Sequence, residues 1–186
     1  MAKADETKKL ICTSIAELMY VKPFYKIKID EVVQKAGISR STFYVHFDSV
    51  ENAVLKMEDE IYNQLVDLND LNMYSLSDEH YKGVYATINV LKQNKTAFSA
   101  LTGLNGDIRF KMRIIGRLRE GFYNMMVKKG CKANDAAMFS EIFSSGLYAQ
   151  SKRIVNKSDA IEEEEIDIIL KMINTTILAI TNVNEG

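Results

Sequence analysis

Proline, cysteine and long uncharged runs are scarce in this chain of 186 residues. One proline and nine glycines leave few helix breakers, while Leu, Ile, Met, Lys and Glu, which all favour helices, are frequent. The sequence therefore predicts an all-α protein. No apolar signal-peptide region follows the N-terminus, and no uncharged run is long enough to span a bilayer. We expect a cytoplasmic protein without a membrane partner.

The two cysteines, Cys12 and Cys131, are isolated in the sequence. Neither belongs to a paired-cysteine or cysteine–histidine cluster of metal-ligand spacing, and two cysteines make no disulfide framework. No nucleophile–base pair is visible, and the glycines Gly103 and Gly106 follow no strand that would make them a phosphate loop. We therefore expect that the protein is not an enzyme, and that it has no catalytic residue, no metal site and no cofactor.

The net charge of −1 hides an uneven distribution along the chain. Residues 22–47 carry five basic and two acidic side chains, whereas residues 158–186 carry one basic and seven acidic side chains. A locally basic segment suits a polyanionic partner, so the distribution points to residues 22–47 as a candidate nucleic-acid binder. The acidic run at 162–165 has a simpler interpretation, since carboxylates are favoured in the first turn of a helix.

The segment at residues 37–47, GISRSTFYVHF, combines a turn signal with a short amphipathic helix. Gly37 permits a left-handed turn that other residues resist, and Ser39 can cap the helix that follows. Phe43 and Phe47 are four residues apart, so they share one face and can anchor the helix to a core. The side chains between them are mostly hydrogen-bonding groups, which leaves a polar face for recognition.

A second amphipathic segment, residues 29–36, precedes the turn and has apolar side chains at positions 29, 32, 33 and 36. Helix, short turn and helix make the helix-turn-helix pattern, whose second helix enters the major groove. The block of residues 29–47 resembles the DNA-binding motif of TetR-type transcription regulators. The resemblance rests on AGIS at 36–39, TFY at 42–44 and HF at 46–47.

This resemblance implies a three-helix DNA-binding head, residues 1–47, joined to a larger helical body, residues 48–186, for ligand binding and dimerisation. It implies a homodimer that binds a palindromic operator in double-stranded DNA. Such proteins usually repress transcription, and a small-molecule effector bound in the body often releases them from DNA. Two alternatives stay open: an activator or ligand-independent regulator of the same fold, and a helical interaction module that does not bind DNA.

Within the motif we predict eight DNA-contacting side chains: Lys28, Ser39, Arg40, Ser41, Thr42, Tyr44, Val45 and His46. Arg40 and Ser41 begin the recognition helix and should read bases, because the start of that helix lies deepest in the groove. Val45 is placed to touch a thymine methyl group. Thr42, Tyr44 and His46 should mainly bind phosphates. The imidazole has an alternative, structural role as donor to a backbone carbonyl.

Two positions depart from the pattern of the family. Lys28 stands where Ser or Thr commonly caps the first helix of the motif, so that cap hydrogen bond is lost. A lysine at a helix N-terminus is also unfavourable unless a phosphate neutralises it. Val50 stands where a lysine often contacts a phosphate, and Asp48 nearby would repel one. The missing lysine at Val50 is the best sequence argument for the alternative, an interaction module that does not bind DNA.

Further along the chain, residues 107–129 predict one long helix with Ile108, Met112, Ile115, Phe122 and Met126 as its core positions. The glycines inside it predict either close helix packing or a kink. For a ligand site in the body the candidates are Tyr85, Met112, Phe122 and Phe143. Such side chains more often belong to a plain core than to a ligand cavity, and the sequence alone does not separate the two.

Two C-terminal segments are apolar on two faces. A helix capped by Asn134 or Asp135 has one stripe of Phe139, Phe143, Leu147 and Ile154, and a second of Met138, Ile142, Ser145 and Ala149. The helix at 163–181 has Ile166, Ile169, Leu170, Ile173, Ile177 and Ile180 on one face, and Ile168, Met172, Thr175 and Ala179 on another. Such helices must be buried on two sides. We predict an intermolecular four-helix bundle, with Ala149, Ile173 and Ile177 at the dimer interface.

Overall fold

The computed structural model describes residues 2–69, 78–156 and 163–183. Within these ranges the chain forms helices and no strand, which confirms the all-α prediction. The helices are α1 (Ala2–Met19), α2 (Ile29–Ala36), α3 (Arg40–His46), α4 (Val50–Asn69), α5 (Asp78–Gln93), α6 (Lys95–Leu101), α7 (Ile108–Lys128), α8 (Ala133–Asn156) and α9 (Glu163–Val183), with a 3-10 turn at Phe24–Lys26. The sequence predicts a loop at residues 69–78, which are mostly polar, and residues 70–77 lie outside the described part of the chain.

The chain divides into two compact units. Unit 1 comprises Met1–Leu65 and Val90–Lys111, and unit 2 comprises Val66–Asn89 and Met112–Gly186. In unit 1, α1 packs against both α2 and α6. The three N-terminal helices therefore do not make a core by themselves. The boundary between head and body after residue 47 remains a functional prediction.

The core of unit 1 is built from large apolar side chains that are almost completely buried. They come from α1, the motif, α4, α6 and the start of α7: Ile11, Ile15, Met19, Phe43, Phe47, Ile61, Phe98, Leu101 and Phe110. The loop after α6 is tightly packed as well, since a Cβ added at Gly106 would lie 2.0 Å from the carbonyl oxygen of Leu101. A glycine is required at this position for lack of space.

Unit 2 has two apolar clusters. The aromatic cluster contains Phe122, Met125, Met126, Cys131, Ala136, Phe139, Ile173 and Ile177, with Phe143, Leu147, Ile169 and Ile180 packed against it. The smaller cluster contains Ile88, Ile154 and Leu170, with Tyr85 against it. The start of α8 thus meets the end of α9 in one cluster, and the end of α8 meets the start of α9 in the other, so the two helices are antiparallel.

The core line of α7 differs from the prediction. Ile108 and Met112 were expected in the core, but both are exposed, Met112 by 61%. Phe122 and Met126 are buried as predicted, and the other buried positions are Phe110 and Ile114. These four side chains follow one another at multiples of four residues. Since α7 is apolar along more than one line, packing selects the line with the larger phenylalanine side chains.

Other details of the helices also depart from the sequence prediction. A Cβ added at Gly116 of α7 would meet no described atom within 4 Å, so close packing within the described chain does not explain this glycine. Helix α8 begins at Ala133, which places Asn134 and Asp135 in its first turn rather than at the cap.

Ile173 and Ile177, which the sequence analysis predicts at a dimer interface, lie in the core of their own chain. Both side chains are buried in the aromatic cluster of their own chain, and Ile177 is only 1% exposed. The opposite face of α9 is the exposed one. A hydrophobic side chain that already fills its own core is not available to a partner subunit.

Both cysteines are free thiols. Burial raises the pKa of Cys12 to about 11, and burial also raises the pKa of the Cys131 thiol. Among the described residues no group of His, Cys, Asp and Glu side chains is arranged to hold a metal ion. No described helix combines the length and apolarity needed to cross a membrane.

Candidate nucleic-acid interface

The turn between α2 and α3 is formed as the sequence predicts. Gly37 has φ +64°, in the left-handed region that glycine adopts without strain. Its N–H donates to the carbonyl of Gln34 at 3.3 Å, and the N–H of Ile38 donates to that of Val33 at 3.0 Å. These bonds close the end of α2 and set the direction in which α3 leaves the turn.

Ser39 caps α3, as expected. Its Oγ accepts the backbone N–H of Thr42 at 3.1 Å. The same Oγ lies 2.7 Å from the Oγ of Ser41 and 2.8 Å from the Oγ1 of Thr42. The Ser39 hydroxyl is therefore engaged in local structure, and any direct role of Ser39 in binding remains a prediction.

Two buried aromatic side chains fix α3 to unit 1. Phe43 and Phe47 are almost fully buried, with ring centroids 6.0 Å apart. Tyr44 and Val45, by contrast, are 51% and 80% exposed, and Arg40 and the Ser41 side chain are exposed as well. Helix α3 thus exposes one face to solvent, and this face carries both polar and apolar side chains. A recognition helix needs such an exposed face to contact bases.

A lysine that the sequence interpretation missed holds the end of α3. The Nζ of Lys56 on α4 lies 3.4 Å from the carbonyl oxygen of His46 and 5.4 Å above the ring of Phe47. A cation at a helix C-terminus is favourable, because the last carbonyls carry partial negative charge. The His46 imidazole makes no hydrogen bond to the described residues, so the structural alternative for this side chain lacks support.

The start of α2 is stabilised without the usual cap. The backbone N–H of Lys28 donates to the Glu31 carboxylate at 2.9 Å, and the ammonium group of Lys22 binds the same carboxylate. The hydrogen bond from Lys22, followed by that from the Lys28 backbone, lowers the pKa of Glu31. A Glu three residues after a cap position is a known sequence signal and could have identified this residue.

Most of the basic side chains in residues 22–47 form ion pairs with acidic side chains. The Nη1 of Arg40 lies 3.1 Å from the Oδ1 of Asp30. Lys35 pairs with Glu17 at 2.7 Å, and the third pair is that of Lys22 with Glu31. Lys26 and Lys28 are exposed and form no ion pair with the described residues. The sequence did not indicate these pairings, which depend on the angles between helices.

Val50 has a structural role in place of the absent lysine. Its side chain is buried in unit 1 and cannot reach a phosphate. The preceding Ser49 caps α4, because its Oγ accepts the N–H of Asn52 at 3.0 Å. The N-terminus of α4 is therefore well formed, although its first side chain offers no charge.

The four candidate ligand residues do not form one group. Phe122 and Phe143 lie together in the aromatic cluster, with ring centroids 6.1 Å apart. Tyr85 packs against the smaller cluster of unit 2, and Met112 is exposed. A role for these residues in ligand binding remains a prediction, and the pair Phe122–Phe143 is the part that the structure brings together.

The second stripes of α8 and α9 are exposed, as expected for an unpaired interface. We call them the outer stripe, which consists of Met138, Ile142, Ser145, Ala149, Ile168, Met172, Thr175 and Ala179. The large side chains among them are more than half exposed, Met172 by 60%. Exposed apolar side chains repeated along a helix face commonly mark an interaction site.

The N-terminal region matches a known family. Residues 11–52 match the sequence model described as "Bacterial regulatory proteins, tetR family". The HTH-type transcriptional regulator EthR of Mycobacterium tuberculosis H37Rv is 35% identical over 60 residues, which cover 32% of this chain and 28% of that protein. EthR of Mycolicibacterium smegmatis is 35% identical over 57 residues. The chain thus matches little more than a quarter of these relatives.

Two solved structures resemble the chain over nearly its whole length. A TetR transcriptional regulator from Streptococcus agalactiae 2603V has a TM-score of 0.59 at 18% identity, covering 92% of this chain and 96% of that chain. A TerR/AcrR-family regulator from Aquifex aeolicus VF5 has a TM-score of 0.62 at 18% identity, covering 94% and 99%. At this identity the likeness establishes the fold.

Proposed function

We propose, on the premise that residues 11–52 belong to the TetR family of bacterial regulatory proteins, that this protein is a sequence-specific DNA-binding transcriptional regulator. The observation that carries the proposal is the exposed face of α3, which unit 1 holds through the buried rings of Phe43 and Phe47. The face bears Arg40, Ser41 and Tyr44, which can donate hydrogen bonds to bases and phosphates.

The protein acts, in this proposal, as a homodimer that binds a palindromic operator and represses transcription. The outer stripe supplies the dimer interface, because a twofold axis would pair the same apolar face of α8 and α9 with itself. Dimerisation would place two recognition helices on successive major grooves, about 34–36 Å apart. A small-molecule effector in unit 2 would then release the DNA. We expect no catalytic activity and a cytoplasmic location.

The test of DNA binding is selection from a pool of randomised duplexes, followed by anisotropy measurements with the selected sequence. We expect a palindromic consensus and an affinity that falls steeply with salt. If Lys26 and Lys28 of each head contact phosphates, a dimer makes at least four such contacts, and the affinity should fall by roughly 100-fold between about 50 and 200 mM salt. No enrichment of any sequence would refute the proposal.

Two observations favour the rival, an interaction module that does not bind DNA. Val50 is buried, and most of the motif's basic side chains already have acidic partners. A flat salt response of any residual DNA binding would support this rival.

Transcription from a reporter that carries the selected sequence would separate repressor from activator, and a thermal-shift screen of metabolites would test for the effector.

Replacement of Arg40 by alanine should relax the sequence preference at one base position of each half-site. Arg40 begins α3 and can bind the O6 and N7 atoms of guanine through two N–H groups, an interaction worth about 1–3 kcal/mol. The matched control is Tyr44→Phe, which removes one hydroxyl and should weaken all sequences alike. The measurement is a repeated selection with each variant. An unchanged preference profile for Arg40→Ala would contradict the assignment of Arg40 to base reading.

A further inference from the structure

Arg40 is the only Lys, Arg, Asp or Glu residue of α3, whose sequence is RSTFYVH. Its partner Asp30 belongs to α2, and the atoms Nη1 and Oδ1 are 3.1 Å apart. Both side chains are exposed. The turn at Gly37 and the cap at Ser39 set the angle between α2 and α3. The fold of the motif therefore places Asp30 beside Arg40.

The pairing leaves most of the guanidinium group available. Arginine carries five N–H donors, and the contact with Asp30 involves one nitrogen, Nη1. Exposed ion pairs are typically weak, because solvent screens the two charges, so Asp30 does not hold Arg40 away from DNA. The carboxylate instead changes what Arg40 is attracted to, because the pair as a whole has no net charge.

The neutral pair of Arg40 and Asp30 interacts differently with DNA phosphates and with the edges of bases. A phosphate carries a full negative charge, and its attraction to Arg40 is offset by its repulsion from Asp30. A guanine edge is uncharged and binds through directed hydrogen bonds to N–H groups, which the pair retains. Sequence specificity is the difference between the two affinities, so a carboxylate that weakens only the phosphate contact increases specificity.

We infer that Asp30 is a specificity-determining residue, whose carboxylate cancels the phosphate attraction of Arg40 so that Arg40 contributes to binding only where a matching base is present. This inference rests on the proposed function, in which α3 reads DNA. It adds a role for a residue of α2 that need not touch the DNA. It also explains why the recognition helix carries no uncompensated positive charge.

The test compares Asp30→Asn with the wild-type protein on two duplexes, the selected sequence and a random-sequence duplex of equal length. Asp30→Asn should tighten random-sequence binding by roughly tenfold and steepen the salt dependence of the affinity by about one unit per head, as one more phosphate contact becomes effective. The affinity for the selected sequence should change by less than about threefold. The ratio of the two affinities therefore falls.

Three further variants isolate the mechanism. Glu17→Gln removes the same charge from the Lys35 pair and should leave the ratio unchanged, while Asp30→Glu should preserve it. In an Arg40→Ala background, Asp30→Asn should have little effect, because its role depends on Arg40. An equal effect of Glu17→Gln would overturn the inference, as would weaker binding of Asp30→Asn to the selected duplex only. If the wild-type protein selects no sequence, it is the proposed function that fails.

Discussion

Replacement of Met172 by glutamate is expected to convert the protein from dimer to monomer and to abolish tight DNA binding. Met172 lies in the middle of the outer stripe of α9, and its side chain is 60% exposed in the isolated chain. In a twofold interface each substitution occurs twice. Two carboxylates would then be buried without partners, at a cost on the order of 3–5 kcal/mol or more for the dimer.

The loss of DNA binding should exceed the loss expected from charge alone. A monomer engages one half-site, so it forfeits the gain of about 10²–10⁴ that two linked binding events provide. Light scattering would report the mass, and anisotropy with the selected duplex would report the affinity. Ile142→Glu and Ala149→Glu, on the outer stripe of α8, should behave in the same way.

The control for this experiment is Lys171→Glu, at the exposed neighbour of Met172 on α9. It introduces the same side chain beside the outer stripe and should leave the mass unchanged. Ile177→Glu is unsuitable, because that side chain belongs to the core of its own chain and the variant would unfold. A Met172→Glu protein that remains dimeric and binds DNA normally would place the interface elsewhere.

Replacement of Phe43 by alanine should destabilise unit 1 and remove DNA binding at physiological temperature. Phe43 is fully buried, and truncation of a buried phenylalanine typically costs about 3–5 kcal/mol. A loss of this size is comparable with the lower end of the total stability of a protein, which is roughly 5–15 kcal/mol. Helix α3 would lose its main anchor, so its exposed face would no longer be held in place.

The adjacent Tyr44 provides a control of similar size, since its ring is half exposed. Tyr44→Ala should stay folded and lose only part of its DNA affinity. Thermal unfolding, monitored by circular dichroism, would compare the stability of the two variants. Fluorescence anisotropy would then measure their DNA affinity at a temperature where both are folded. Equal melting temperatures for Phe43→Ala and the wild-type protein would show that the motif does not depend on this ring.

The motif was predictable from the sequence because its determinants are local. A glycine that adopts a left-handed conformation, a serine that caps and two aromatic residues four positions apart each act over less than two helical turns. The structure accordingly has Gly37 at φ +64°, Ser39 as the cap and Phe43 in the core. The departure at Lys28 was also visible, although the compensating Glu31 was not recognised.

The choice between the two faces of α9 was not predictable. Both faces carry isoleucine and methionine at helical spacing, and periodicity does not say which one the chain buries. Contacts with the phenylalanines of α7 and α8 decide it, so Ile173 and Ile177 turn inward and Met172 outward. The pairing of Arg40 with Asp30 depends likewise on the angle between α2 and α3, which a linear pattern does not contain.

The raised pKa values of the two thiols have a practical consequence for spectroscopy. The pKa of Cys12 is raised to about 11, which disfavours its thiolate at neutral pH, and only the thiolate reacts with a maleimide. A cysteine introduced at an exposed position such as Val45 would react far faster. Site-selective labelling with a fluorophore should therefore succeed in the native sequence background, and would allow the distance between the two recognition helices of the proposed dimer to be measured in solution.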